Sequence, residues 1–199
     1  MTKTVSALFD HYSDAAAAVK AMEDSGIPHA DISIVANNAD KWHTTDKPTE
    51  VAKDAGTGAG VGAAVGGGVG LLAGLGMLAI PGVGPVVAAG WLVATAVGAA
   101  AGAAAGGAAG GIVGAMTESG VPVEDANVYA EGVRRGGALV TARVADERAT
   151  TANAILQRYR SVDIGTRRTA YRANGWSTFD DNAPLYTDAQ VREERNRYR

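Results

Sequence analysis

The chain has no cysteine, which excludes disulfides, thiolate nucleophiles and cysteine-held metal ions. Histidine is nearly absent too, with only 3 residues. His11, His29 and His43 share no metal-ligand spacing, so neither a metal nor any other cofactor is expected. No Ser/His/Asp set and no paired carboxylates stand out, and Asp10-His11 reads as an ordinary strand-to-helix turn, so the sequence describes a non-enzyme. Positive charge is not in excess. A formal net charge of −3 and a pI near 5.6 give no electrostatic reason to expect a nucleic-acid partner. Met1–Asp10 lacks the apolar core and cleavage site of a secretory signal, and a cytoplasmic location is expected. Charge of either sign is missing altogether between Ala55 and Thr117.

What fills that uncharged stretch is glycine, of which the chain holds 27 in 199 residues, roughly twice the usual share. Two series recur at every fourth residue: Gly58, Gly62, Gly66, Gly70, Gly74, then Gly98, Gly102, Gly106, Gly110, Gly114. On an α-helix that spacing lines up the missing Cβ atoms along one ridge, where a second backbone can approach closely. The series mirror each other about Val86 and predict an antiparallel α-helical hairpin. Its first arm runs from about Gly58 to Ile80, its tip is Pro81-Gly82-Val83-Gly84-Pro85, and its return arm runs from about Val86 to Met116. Trp91 and Leu92 are expected to shape the apolar tip. Each helical glycine costs about 0.8–1 kcal/mol relative to alanine, so close packing has to offset the penalty. Three partners suit such a ridge: a second copy of the chain in a homo-oligomer, membrane lipid around an inserted hairpin, or the protein's own domain. Nucleotide motifs are not met, because Gly74-Leu75-Gly76 lacks both the preceding strand and the Lys-Ser/Thr of a phosphate loop. No small-molecule substrate is identified.

The flanks read as two halves of one small domain. Residues 1–36 give strand Thr4–Phe9, a helix capped by Ser13 with Ala15, Ala18, Val19 and Met22 at helical spacing, and strand Ile32–Ala36. Residues 37–54 form a polar linker carrying Trp42 and His43, and 55–117 is the glycine hairpin. Residues 118–164 give a helix opened by Pro122 with Ala126, Tyr129, Ala130 and Val133 on one face, strand Ala138–Val144, a helix capped by Asp146, and a last strand Val162–Ile164. Together the halves predict an α+β, split ferredoxin-like sheet (βαβ + βαβ) with helices on one face, interrupted by the inserted hairpin. Leu139–Val144 lacks the aromatics on which RNA-binding versions of that fold stack bases. The arginines from Arg134 to Arg172 are explained by helix-dipole compensation and salt bridges. Residues 165–199 form an extended tail, in which Tyr171, Trp176, Phe179 and Tyr186 are candidate docking residues, on the same protein or on a neighbouring subunit that the tail clasps. Thr187-Asp188-Ala189-Gln190 is a capping box that opens a last helix.

Several motifs carry a resemblance: Leu8-Phe9-Asp10, Leu78-Ala79-Ile80-Pro81-Gly82-Val83-Gly84-Pro85 followed by Ala88-Ala89-Gly90, Gly120-Val121-Pro122, Tyr129-Ala130-Glu131-Gly132 and Gly136-Gly137-Ala138-Leu139-Val140. On these the chain resembles the bacterial general stress protein 17M-like, or heat-induced stress protein YflT-like, family over roughly Val5–Ile164. The resemblance implies a stress-associated protein without catalytic residues. The expected function is a non-enzymatic structural protein that self-assembles through its glycine hairpin, the alternative being a hairpin that perturbs a bilayer.

Overall fold

The computed structural model describes residues 2–39, 41, 43, 75–80, 82–96 and 111–198. Strand β1 (Thr2–Phe9) leads into helix α1 (Tyr12–Asp24) and strand β2 (Ile32–Asn37). Strands β3 (Gly76–Ile80) and β4 (Gly84–Gly90) follow, then helices α2 (Gly111–Glu118) and α3 (Val123–Arg134). Strand β5 (Ala138–Ala145), helix α4 (Ala149–Arg158), helix α5 (Ile164–Ala173) and helix α6 (Asp188–Arg197) complete the order.

The strands form one open, 5-stranded antiparallel sheet in the order β1-β5-β2-β4-β3. β5 lies between β1 and β2, antiparallel to both. Period-two alternation gives the sheet two faces. Val5, Ala7, Phe9, Ile32, Ile34, Val140 and Ala142 point to one side, where Ala15, Ala18, Val19 and Met22 of α1 and Ala152 and Leu156 of α4 cover them. Leu8, Val35, Val86, Ala88 and Leu139 point to the other, under Ile112, Ala115 and Met116 of α2 and Ala126, Tyr129, Ala130 and Val133 of α3. Each fully buried Leu, Ile or Val contributes about 1.5–3 kcal/mol, so both layers hold the sheet.

Four expectations change. The helices cover both faces rather than one, because Leu8, Val35 and Leu139 make the second face as apolar as the first. The apolar stretch around the predicted tip is a β-hairpin, not the ends of two helical arms: β3 and β4 pair from Gly76↔Ala88 to Ile80↔Gly84, and β4 pairs with β2 as well. The reversal therefore centres on Gly82 rather than Val86. No strand forms at Val162–Ile164. Val162 donates one backbone hydrogen bond to the Leu8 carbonyl, 2.8 Å, and α5 then begins at Ile164 with Asp163 as its N-cap, so the tail opens as a helix.

Smaller differences are local. Ser13 lies inside α1, whose N-cap is His11. A 3-10 turn, Asp146–Arg148, stands between β5 and α4. Ser33 is buried in β2 and stays satisfied by donating to the Ala89 carbonyl, 2.9 Å.

Candidate functional site

The glycine series enters and leaves this domain at fixed points. Leu75 packs against the core beneath α1, leading into β3. On the return, helical residues 91–96 follow β4, and Leu92 is buried. The Trp91 indole donates to the Asp31 carbonyl, 3.0 Å, and the Arg143 guanidinium stands 4.6 Å from its ring. Gly114 lies buried in α2 between Ile112 and Met116. The other zipper glycines, Gly58 to Gly74 and Gly98 to Gly110, and also Pro81 and Trp42, lie outside the described residues.

The apolar tip is accordingly part of the domain rather than a lipid-facing element. Val86 and Val87 are buried in β4. Among the described residues, no helix is long and apolar enough to cross a membrane. This overturns the expectation of membrane association.

The C-terminal residues strap that tip down. From α5 the chain crosses α3, where Thr178 Oγ1 and the Phe179 amide both donate to Asn127 Oδ1 at 2.8 and 3.0 Å. Its backbone then lies against the β3–β4 turn: a Cβ on Gly82 would collide with the Asp181 Cα and come 2.9 Å from the Phe179 ring. Leu185 covers Gly84, and the Pro184 carbonyl accepts from Arg134 Nη2 at 2.8 Å. Thr187 and Gln190 close a reciprocal capping box at the start of α6, which seats Val191 on Gly136. A Cβ there would be 2.6 Å from Val191 Cγ1. Gly136 has φ +111°, a conformation glycine adopts without strain, so one residue supplies both the bend and the space. Arg195 Nε locks the contact by donating to the Gly136 carbonyl, 2.7 Å.

Beneath the strap lies a chain of buried charges. Glu131 on α3 accepts from Arg135 Nε at 2.7 Å and Arg134 Nη1 at 3.2 Å. Arg135 reaches on to Glu194 of α6, 3.3 Å, and Glu194 holds Arg197, 3.1 Å. Beside them Arg167 of α5 clamps Asp10 with two bonds, 2.8 and 2.9 Å. Burial opposes the charge on Arg135 and Arg167, but hydrogen bonds to Glu131 and Asp10 outweigh it and both pKa values are raised. Aromatic faces complete the cage: Arg135 lies 4.1 Å from the Tyr171 ring and Arg167 3.6 Å from that of Tyr198. Burial raises the Tyr171 pKa well above its ordinary value. Arg168 pairs with Asp125.

The four tail aromatics thus sit on their own chain. Tyr171 is buried, Trp176 meets its ring edge-on at 5.7 Å, Phe179 packs against the α2–α3 layer, and Tyr186 lies 5.3 Å from Arg134. Asp10 reads in the sequence only as part of a strand-to-helix turn, Glu131 only as part of a family motif, and Glu194 not at all. The Glu131-x-x-Arg134-Arg135 spacing was a usable signal for part of the cluster. Replacing buried Val191 with aspartate is expected to lift α6 and leave the sheet intact, because the helix buries little besides Val191 and Glu194. Limited trypsin digestion should then cut after Arg192 and Arg195 many times faster than in the parent, with unchanged far-UV dichroism.

These features define an α/β domain clamped by buried ion pairs. The chain lacks cysteine, and among the described residues no group of three or more His, Asp or Glu residues could hold a metal ion. Residues 4–82 match the heat induced stress protein YflT domain, a stretch running from β1 to the β3–β4 turn. No curated protein and no solved structure matches the chain. The match over residues 4–82 links the first part of the sheet, from β1 to the β3–β4 turn, to a domain of heat-induced stress proteins.

Proposed function

We propose that this chain is a cytoplasmic structural protein of the stress response that self-assembles into a homo-oligomer through its two glycine series. The observation that carries this reading is the pairing of sequence and attachment. Fourfold-spaced glycines occupy an uncharged stretch, and both series adjoin residues packed into the domain, the half-buried Leu75 before β3 on one side and the buried Leu92 and Ile112 on the other. Glycine at every fourth position carries a helical penalty of roughly 0.8–1 kcal/mol each, which contact between backbones would offset. Ridges held at fixed points on a folded domain are suited to meeting those of another copy.

Light scattering coupled to size exclusion tests it. The parent is expected to elute as an oligomer, and the Gly66→Leu/Gly106→Leu double variant as a monomer with the dichroism of the parent. A monomeric parent, or an unchanged mass in the variant, would overturn the reading.

A further inference from the structure

The sheet ends at β1, and the outer edge of that strand is where a fourth strand would complete the βαβ unit formed by β5 and α4. Among the described residues one contact of that kind is made, from the Val162 amide to the Leu8 carbonyl, 2.8 Å, before Asp163 starts α5. In an antiparallel ladder the groups of alternate residues face away from the neighbouring strand. Since the Leu8 carbonyl faces outward, so do the edge groups of Ser6, Thr4 and Thr2. The Tyr129 hydroxyl donates to the Ser6 carbonyl at 3.0 Å. Among the described residues no loop, turn or side chain bonds the Ser6 or Thr4 amide from outside the ladder, and the buried Ser6 Oγ has no partner.

Beside this edge is a groove of about 370 Å³. Its rim is hydrogen-bonding: Asn153 and Gln157 from α4, Ser161, and the Asp163 carboxylate. Leu156 contributes to its lining from the apolar side. Asp163 is the one ionisable acid or base among the lining residues apart from Tyr129. Thr166 holds that carboxylate ionised, its amide donating at 2.6 Å and lowering the Asp163 pKa. Burial raises the pKa of Tyr129, which keeps its hydroxyl protonated and donating to Ser6.

An unpaired strand edge beside a polar groove with an apolar side is the chemistry by which extended peptides are bound through strand addition. The single negative charge, with no lysine or arginine in the lining, selects basic over acidic side chains. We infer that the β1 edge and this groove form a binding site for an extended peptide segment carrying basic side chains, which lies antiparallel along Ser6–Thr2 as the missing fourth strand. The backbone of the segment accepts from the Ser6 and Thr4 amides and donates to the Thr4 carbonyl. One basic side chain reaches Asp163. This is a function separate from self-assembly: it uses the opposite edge of the sheet from β3, to which the glycine series is joined.

The test uses the full chain and a fluorescein-labelled, end-blocked hexapeptide of alternating valine and lysine, followed by fluorescence anisotropy. Saturable binding is expected. A copy of the peptide with alternate backbone amides N-methylated should bind about tenfold more weakly, since it loses strand hydrogen bonds. Replacing lysine with glutamate in the peptide should abolish binding. Asp163→Asn keeps a capping side chain and should weaken the lysine peptide up to about fivefold, as an exposed ion pair does. Gln157→Trp, at an exposed position on α4, should block the groove without touching the core. No saturation by about 1 mM, or equal binding of the N-methylated or the acidic peptide, would overturn the proposal.

Discussion

Replacing Glu131 with alanine is expected to lower the unfolding free energy by about 3–5 kcal/mol, the usual cost of stranding a buried charge. The Glu131 side chain is 1% exposed and pairs with Arg134 and Arg135, whose own side chains are 10% and 9% exposed. Removal of the carboxylate leaves two guanidinium groups out of water. Arg135 would retain Glu194 and the faces of Tyr171 and Tyr186, while Arg134 would retain the Pro184 carbonyl and Tyr186. Those contacts were arranged around Glu131, so they offset only part of the loss. The loss is a large fraction of the roughly 5–15 kcal/mol that holds a typical protein together. Urea unfolding followed by circular dichroism measures it. Arg135→Ala combined with Glu131→Ala should cost less than the sum of the two single changes, because each already removes the same pair. A Glu131→Ala loss below about 1 kcal/mol would match an exposed pair and exclude this account.

Local patterns in the sequence located most of the domain. Ala15, Ala18, Val19 and Met22 are all buried on α1, as are Ala126, Tyr129, Ala130 and Val133 on α3. The Thr187–Gln190 capping box forms. In each, the signal is periodicity or a short side-chain-to-backbone bond, which neighbouring residues determine. The stretch 75–90 was misread because the glycine spacing on either side was extended across it. Neither series has a member between Gly74 and Gly98, and in that gap β-branched Ile80, Val86 and Val87 flank a Pro-Gly turn, the composition of a β-hairpin. The second face of the sheet was likewise hidden in continuous apolar runs such as Ile34–Ala36 and Ala138–Val140, which alternate too little to show which side is solvated. The charge cluster lay beyond local reading. Asp10 and Arg167, or Arg135 and Glu194, meet only after the whole sheet is built, and no spacing rule joins residues so far apart.

Gly90→Ala is the other change with a large expected effect, about 2–5 kcal/mol, from left-handed strain together with an overpacked contact. Gly90 closes β4 opposite Ser33 with φ +99°. A Cβ there would collide with the Ile32 carbonyl oxygen and stand 2.6 Å from the Ser33 Cα. Both obstacles are backbone atoms of a central strand, and no rotamer change relieves them. The close approach has a purpose: it lets the chain leave the sheet sharply, so that Trp91 reaches the Asp31 carbonyl and Leu92 enters the core. The substituted chain must either displace β4 from β2 or give up those contacts. Gly120 provides the comparison. Its φ is +91° but no atom lies within 4 Å of a Cβ placed there, so Gly120→Ala meets the dihedral cost alone, about 1–2 kcal/mol. Urea midpoints separate the two contributions, and hydrogen exchange should show the added loss confined to β4, β3 and residues 91–96. Equal costs at the two glycines would mean that the β2–β4 approach yields freely, and with it the fixed exit that Trp91 and Leu92 require.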